Sequence, residues 1–339
     1  MTTVLVTGGA GFIGYHLTKY LLARGLKVVI FDNFSSYYSP QLKKINALEC
    51  QKLGAKIIEG DILNRQMLFQ TIENEQCSKI VHLAAQPGVR YSSIHPEKTL
   101  RVNVEGTANI LEAVQKLDIQ RVILTSSSSV FGSAFYLPIN ENHPKKPVSI
   151  YGTSKLMVEQ MAEVYRYLYP NLDIVIIRPF TVVGAKQRPD MAINKFVSCA
   201  LEEKKITVFG DGWQTRDWTH VENIAQGFYL ALTKEKARNQ TFNIGNGSRI
   251  SVNEVLKLIA KITNHELQLI FSPRNKADIK DTFADISKAK QLIGYHPQKT
   301  IFDAIEDFTE FYLAEKFGKG FENISRKVLF ESKIIATKS

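Results

Sequence analysis

The sequence predicts an α/β fold, a doubly wound parallel sheet with a smaller second lobe behind it. Two observations lead there. Short apolar β-type runs alternate with helix-spaced segments as far as residue 180, and after Pro179 the rhythm breaks into shorter units. Strands alternating with helices of this length imply a parallel sheet with helices on both faces, joined by right-handed crossovers. The 339 residues suit about two such units.

In chain order, Val4–Val6 reads as a strand and Phe12–Leu22 as the helix after it. Val28–Phe31 is the second strand, Gln41–Leu53 a polar helix and Lys56–Ile58 the third strand. Lys79–Leu83 and Arg121–Thr125 continue the series, with a helix from Pro96 to Leu117 between them. A helix from Tyr151 to Tyr169 precedes the buried strand Asp173–Arg178. Beyond it, helices are predicted over 192–203, 222–232, 252–263 and 301–314, with β-type runs at Thr207–Phe209 and Thr241–Ile244, all read as a smaller lobe packed on the first. The expected division is 1–180 for the sheet domain, 181–315 mainly for a second lobe and 316–339 for a basic tail.

Composition narrows the class. Apolar residues make up 44% and charged residues 22%, as in an ordinary globular protein. No apolar run approaches the roughly 18 residues of a membrane helix. The start, MTTVLVTGG, lacks the basic stretch, apolar core and cleavage site of a secretory signal. Cys50, Cys77 and Cys199 are scattered without metal-like spacing, so neither a disulfide framework nor a metal site is expected, and the cytoplasm is the expected compartment. The net charge of +10 is interspersed, apart from six Lys/Arg between Lys316 and Lys338. No aromatic residues interleave with it as a nucleic-acid surface needs, so it reads as a basic surface that tolerates anionic ligands.

Chemistry enters right after the first strand, in TGGAGFIG. Gly8, Gly11 and Gly14 permit a tight turn and close approach to a pyrophosphate, and the next helix points its N-terminus at that anion. Asp32 ends the second strand, 18 residues after Gly14. A carboxylate there bonds the ribose 2′-hydroxyl of a dinucleotide and repels a 2′-phosphate, which favours NAD over NADP. Tyr151 and Lys155 stand four residues apart, on one helix face. A phenol near pKa 10 is a poor base at pH 7, and an adjacent ammonium with a cationic nicotinamide ring lowers that value. Ser126–Ser129 end a strand, where ligands bind in such sheets, and a serine there can bond the reacting oxygen.

TGGAGFIG, DNF (Asp32–Phe34), GDI (Gly60–Ile62), HLAAQPGVRYS (His82–Ser92), NVEGT (Asn103–Thr107), SSSSVFG (Ser126–Gly132) and YGTSK together resemble the extended short-chain dehydrogenases/reductases. Within that group the chain is most similar to the nucleotide-sugar epimerases and dehydratases, and to UDP-glucuronate 4-epimerases above all. The resemblance implies a Rossmann-type sheet, bound NAD and a UDP-sugar substrate. It also implies a homodimer through the helices near 96–117 and 151–169, and a role in polysaccharide supply. By it, Gly8, Gly11, Phe12, Ile13 and Gly14 meet the pyrophosphate, Asp32 and Asn33 the adenosine ribose, and Asp61 and Ile62 the adenine. Leu83, Ala84 and Ala85 line the path to the nicotinamide ribose, which Lys155 bonds. Ser127 and Tyr151 are the catalytic pair.

Dehydratases of this kind carry Asp-Glu directly after the catalytic Ser/Thr, and UDP-glucuronate decarboxylases a glutamate at the second position. Ser128 and Ser129 can do neither job, so the resemblance implies an epimerase acting at C4. Arg216 would reach the diphosphate of the substrate, and Arg274 and Asp278 its uridine ribose and phosphate. Galactose-type 4-epimerases have Asn where Thr181 stands, and the uronate branch shares the Thr. Arg90 and Arg188 are candidate anion contacts. UDP-glucuronate to UDP-galacturonate is the expected conversion. A UDP-glucose or UDP-N-acetylhexosamine 4-epimerase, a UDP-glucuronate decarboxylase and a non-catalytic NAD-binding regulator are the alternatives.

Overall fold

A computed structural model describes residues 2–273 and 278–318 of the chain. Seven parallel strands form its central sheet: β1 (Thr3–Thr7), β2 (Lys27–Asp32), β3 (Lys56–Glu59), β4 (Lys79–His82), β5 (Arg121–Thr125), β6 (Ile174–Pro179) and the distant β11 (Thr241–Ile244). Six short strands pair beside it: β7 (Thr181–Val183) with β10 (Trp218–His220), β8 (Ile206–Phe209) with β13 (Leu269–Ser272), and β9 (Thr215–Arg216) with β12 (Ile250–Ser251). The helices are α1 (Phe12–Leu22), α2 (Pro40–Lys52), α3 (Arg65–Asn74), α4 (Val89–Ile94), α5 (Pro96–Leu100), α6 (Gly106–Lys116), α7 (Ile150–Leu168), α8 (Ala192–Leu201), α9 (Val221–Thr233), α10 (Val252–Thr263), α11 (Ser287–Ile293) and α12 (Ile301–Phe317).

The strand order β11-β6-β5-β4-β1-β2-β3 reverses its direction of growth between β1 and β4. Loops leaving those two strands part there and open a crevice at their carboxyl ends, where ligands bind in open α/β sheets. Alternation along the strands explains the layers. Val4, Val6, Val28 and Ile30 face one core with Leu17 and Leu21 of α1, whereas Leu5, Val29 and Phe31 face the other with Leu68 and Leu111. A third core joins Val197, Val208, Trp218, Ile259 and Phe308 in the second lobe.

The structure departs from the sequence expectation in several places, among them helix α11 and the short strands β7, β9, β10, β12 and β13. Helix α3 was not expected; its start is capped by Asn64, whose Oδ1 accepts the Met67 N–H at 3.1 Å. Nor was the short helix α4. The run from Pro96 onward is interrupted by a π-turn at Arg101–Glu105, which takes Asn103 inward. Thr241–Ile244, grouped by rhythm with the smaller lobe, is the edge strand of the main sheet, paired in parallel with β6. Arg274 and the tail beyond Gly318 lie outside the described residues.

Candidate active site

A cleft of about 1140 Å³ runs from the glycine turn to the start of α7. Gly8 has φ +71°, and a Cβ on it would stand 2.7 Å from the Ala84 nitrogen; one on Gly14 would run into the Gly8 carbonyl. Only glycine lets α1 begin so close to the turn, leaving a hollow in front of its first amides for an anion. Asp32 lies buried beneath that turn, its carboxylate accepting the Ala10 N–H at 3.0 Å and the Phe34 N–H at 2.9 Å. A carboxylate has about four acceptor sites, so two remain for hydroxyls. Burial pushes the Asp32 carboxyl up, against the pull of its two amide partners and of Lys43. Farther along, Asn33 donates to Asp61 at 2.9 Å, and Ile62 is buried against Gly106.

At the other end, Ser127 caps the turn Ser128–Val130, its Oγ accepting the Ser129 N–H at 3.1 Å. Tyr151 lies in the first turn of α7, which Ser149 caps. Its backbone is gripped on both sides: its N–H donates to Ser92 Oγ at 3.1 Å, and its carbonyl accepts from Ser154 Oγ at 2.7 Å. Asn103, delivered by the π-turn, donates to Ser154 Oγ at 2.9 Å and also bonds both backbone groups of Gln86 on the cleft wall. Burial raises the Tyr151 phenol, while the Ser127 hydroxyl and the Arg188 charge pull it down. Lys155 is buried with Nζ donating to the Thr125 carbonyl at 2.8 Å, and burial lowers its pKa to about 8.

Gly8, Gly11, Phe12, Ile13, Gly14, Asp32, Asn33, Asp61, Ile62, Leu83, Ala84, Ala85, Ser127, Ser128, Ser129, Tyr151, Lys155, Thr181 and Arg188 all line this one cleft. Arg188 is held by Asp190 at 2.9 Å, and the Tyr37 hydroxyl donates to the same carboxylate at 3.1 Å. Three expected substrate residues stand apart from the wall. Arg90 pairs with Asp278 at 3.2 Å and lies 4.3 Å over the Phe209 ring. Arg216 donates to the carbonyls of Thr215, Ile279 and Lys280 at 2.6–3.0 Å.

Comparison with known proteins bears on this arrangement. Residues 4–245 match the model of the NAD dependent epimerase/dehydratase family. The chain is 35% identical to the UDP-glucuronate 4-epimerase of Thermodesulfobacterium geofontis, over 89% of this chain and 93% of that one. It superposes with a TM-score of 0.86 and 35% identity on UDP-glucuronic acid 4-epimerase from Bacillus cereus in complex with UDP-glucuronic acid and NAD, covering 91% and 98% of the two chains. Against UDP-glucose 4-epimerase from Thermotoga maritima with UDP-glucose the TM-score is 0.85 at 28% identity, over 93% and 99%. The chain belongs to the NAD-dependent epimerase/dehydratase family.

NAD is the cofactor of this family, and the glycine cradle beside a buried Asp32 fits it. Ser92, Asn103 and Ser154 each stand in one of the recognised motifs, but no local pattern announces that they meet around the Tyr151 backbone from three segments. Glu159 is different. It follows Lys155 by four residues, as Lys155 follows Tyr151, so its place on the same helix face is readable from spacing.

Proposed function

We propose that the chain is an NAD-dependent UDP-glucuronate 4-epimerase, with Ser127, Tyr151 and Lys155 acting at C4. The observation that carries this reading is a set of hydroxyls in one cleft: Ser128, Ser129 and Thr181 line the cleft that Ser127, Tyr151 and Arg188 also line. NAD would be held by the glycine turn, Asp32 and Lys155, and when bound it would supply a reversible hydride acceptor for C4. Tyr151 takes the proton of the C4 hydroxyl and later returns it, and Ser127 bonds the same oxygen. Lys155 holds the nicotinamide ribose and keeps positive charge near the phenol. Arg216, Arg274 and Asp278 are assigned to the UDP part and Arg90 to an anionic group of the substrate, so binding would part the Arg90–Asp278 ion pair.

A uronate poses a hazard that a neutral hexose does not. Once C4 is a ketone, the carboxylate on C5 is β to it, and carbon dioxide can leave. Hydroxyl donors suit the task of restraint, since they stabilise the anion without placing a general acid beside C5. UDP-glucuronate and UDP-galacturonate are therefore expected to interconvert with little UDP-pentose and no net NADH. UDP-glucose is expected to react far more slowly. A panel of UDP-sugars, each product resolved from its C4 epimer, tests this; faster turnover of UDP-glucose would replace the uronate reading with the neutral-hexose one.

The reading includes a homodimer. Val104, Met157, Met161, Val164 and Tyr165 line a shallow apolar hollow of about 310 Å³ on the outer face of α7, and Met157 and Val164 are exposed. A two-fold pair of such faces gives the self-complementary contact commonest among oligomers. Light scattering at micromolar concentration is expected to give twice the 38.3 kDa chain mass, and a monomer would remove the dimer. Three free cysteines, two of them buried, and the absence of any membrane-crossing helix among the described residues are compatible with the cytoplasmic location in this reading.

A further inference from the structure

Behind the catalytic serine sits a charged cluster that the reaction itself does not use. Glu159 is 2% exposed, and its carboxylate receives Arg178 Nε at 2.7 Å and Nη2 at 2.8 Å, with Lys145 at 3.2 Å. Arg178 on β6 is equally buried, donates to the Glu141 carbonyl at 3.0 Å and lies 5.0 Å from the Phe131 ring. The remaining partner of Glu159 is the Ser126 hydroxyl, which donates to Oε1 at 2.6 Å. Ser126 is the residue before Ser127, and its N–H is fixed to the Ile177 carbonyl at 2.8 Å. Burying a charge is costly unless it is paired and fully bonded. Here the paired charge is spent on one short bond to the end of β5.

We propose that Glu159 is a positioning residue of this active site: through Ser126 it fixes Ser127 relative to Tyr151. Successive turns of α7 make the argument. Tyr151, Lys155 and Glu159 share one face, and the two lower ones are pinned to consecutive residues at the end of β5 and just past it, Lys155 to the Thr125 carbonyl and Glu159 to the Ser126 side chain. Two adjacent anchors fix both the rotation of α7 about its axis and its height along β5. That leaves the Tyr151 phenol one place to stand relative to the residue after Ser126. Arg178 keeps Glu159 from following Ser126 outward, because its planar fork holds both carboxylate oxygens. Despite burial, which opposes charge, Arg178, Ser126 and Lys145 hold the Glu159 carboxyl below its ordinary range, so the anchor is an anion.

The inference rests on the assignment of Ser127 and Tyr151 above, and its test separates the two. Ser126→Ala removes the one bond and leaves the Glu159–Arg178 pair intact. In NAD-bound protein, tyrosinate absorbance recorded against Tyr151→Phe isolates the Tyr151 phenol. Its ionisation midpoint is expected at higher pH in Ser126→Ala than in the parent, because the Ser127 hydroxyl no longer stabilises the phenolate. Turnover is expected to fall about tenfold with KM within about twofold, and Ser126→Thr, which keeps the hydroxyl, to restore it. An unchanged midpoint, or a loss confined to KM, overturns the positioning role. If the parent turns over no UDP-sugar, the proposed function fails, while the midpoint still decides whether Glu159 positions Ser127.

Discussion

Replacing Tyr151 with phenylalanine is expected to lower turnover by about 10²–10⁴-fold while NAD stays bound. The ring is kept, so the packing at the start of α7 and the two backbone bonds to Ser92 and Ser154 are kept with it. Only the hydroxyl is lost, and with it the group proposed to take the C4 proton. The Ser127 hydroxyl then stands alone at that oxygen, too weak an acid and base to replace the phenol near neutral pH. Ser127→Ala is expected to cost less, since Tyr151 still reaches the same oxygen. Turnover by Tyr151→Phe within a few-fold of the parent would end the assignment.

Which parts of the molecule were legible in the sequence follows from which forces are local. The span of α1 was readable because glycines before it and Ala23–Gly25 after it set both ends. The strands β1, β2, β5 and β6 announce themselves as apolar runs, and the structure buries almost every residue in them. Helix α3 has a weak apolar stripe, and only its Asn64 cap marks its start. The π-turn leaves no trace in periodicity, because one extra residue in a turn merely shifts the pattern. The place of β11 depends on pairing with β6 some 65 residues earlier, for instance Thr241 with Ile176. The two ends of the cleft divide in the same way. Glycines, Asp32 and the Tyr151–Lys155 spacing belong to single elements and are visible. Asn103 and Ser92 fall in visible motifs, but their action on Tyr151 runs through tertiary contacts and is not visible.

In the proposed mechanism Lys155 brings function and stability into opposition, and the opposition can be measured. Its ammonium is buried, and its pKa falls to about 8 from an ordinary value near 10.5. Between those two values the unfolded chain holds a proton that the folded one has released, so folding stability rises with pH across that window. Below about pH 8 the folded protein carries the cost of a buried charge, offset in part by the bond to the Thr125 carbonyl. In the proposed mechanism that is the range in which a charged Lys155 would favour the Tyr151 phenolate. Lys155→Met is expected to lower turnover by about 10²-fold or more, the scale on which proton transfer depends. The same variant is expected to lose the pH dependence. In NAD-depleted protein, urea unfolding at pH 7 to 10 is predicted to show the parent gaining on Lys155→Met by up to about 1.4 kcal/mol per pH unit above pH 8. The lost bond to Thr125 shifts the two curves by a constant and leaves that slope difference in place. Parallel curves above pH 8 would mean that Lys155 stays charged in the folded protein and that its function and stability are not opposed.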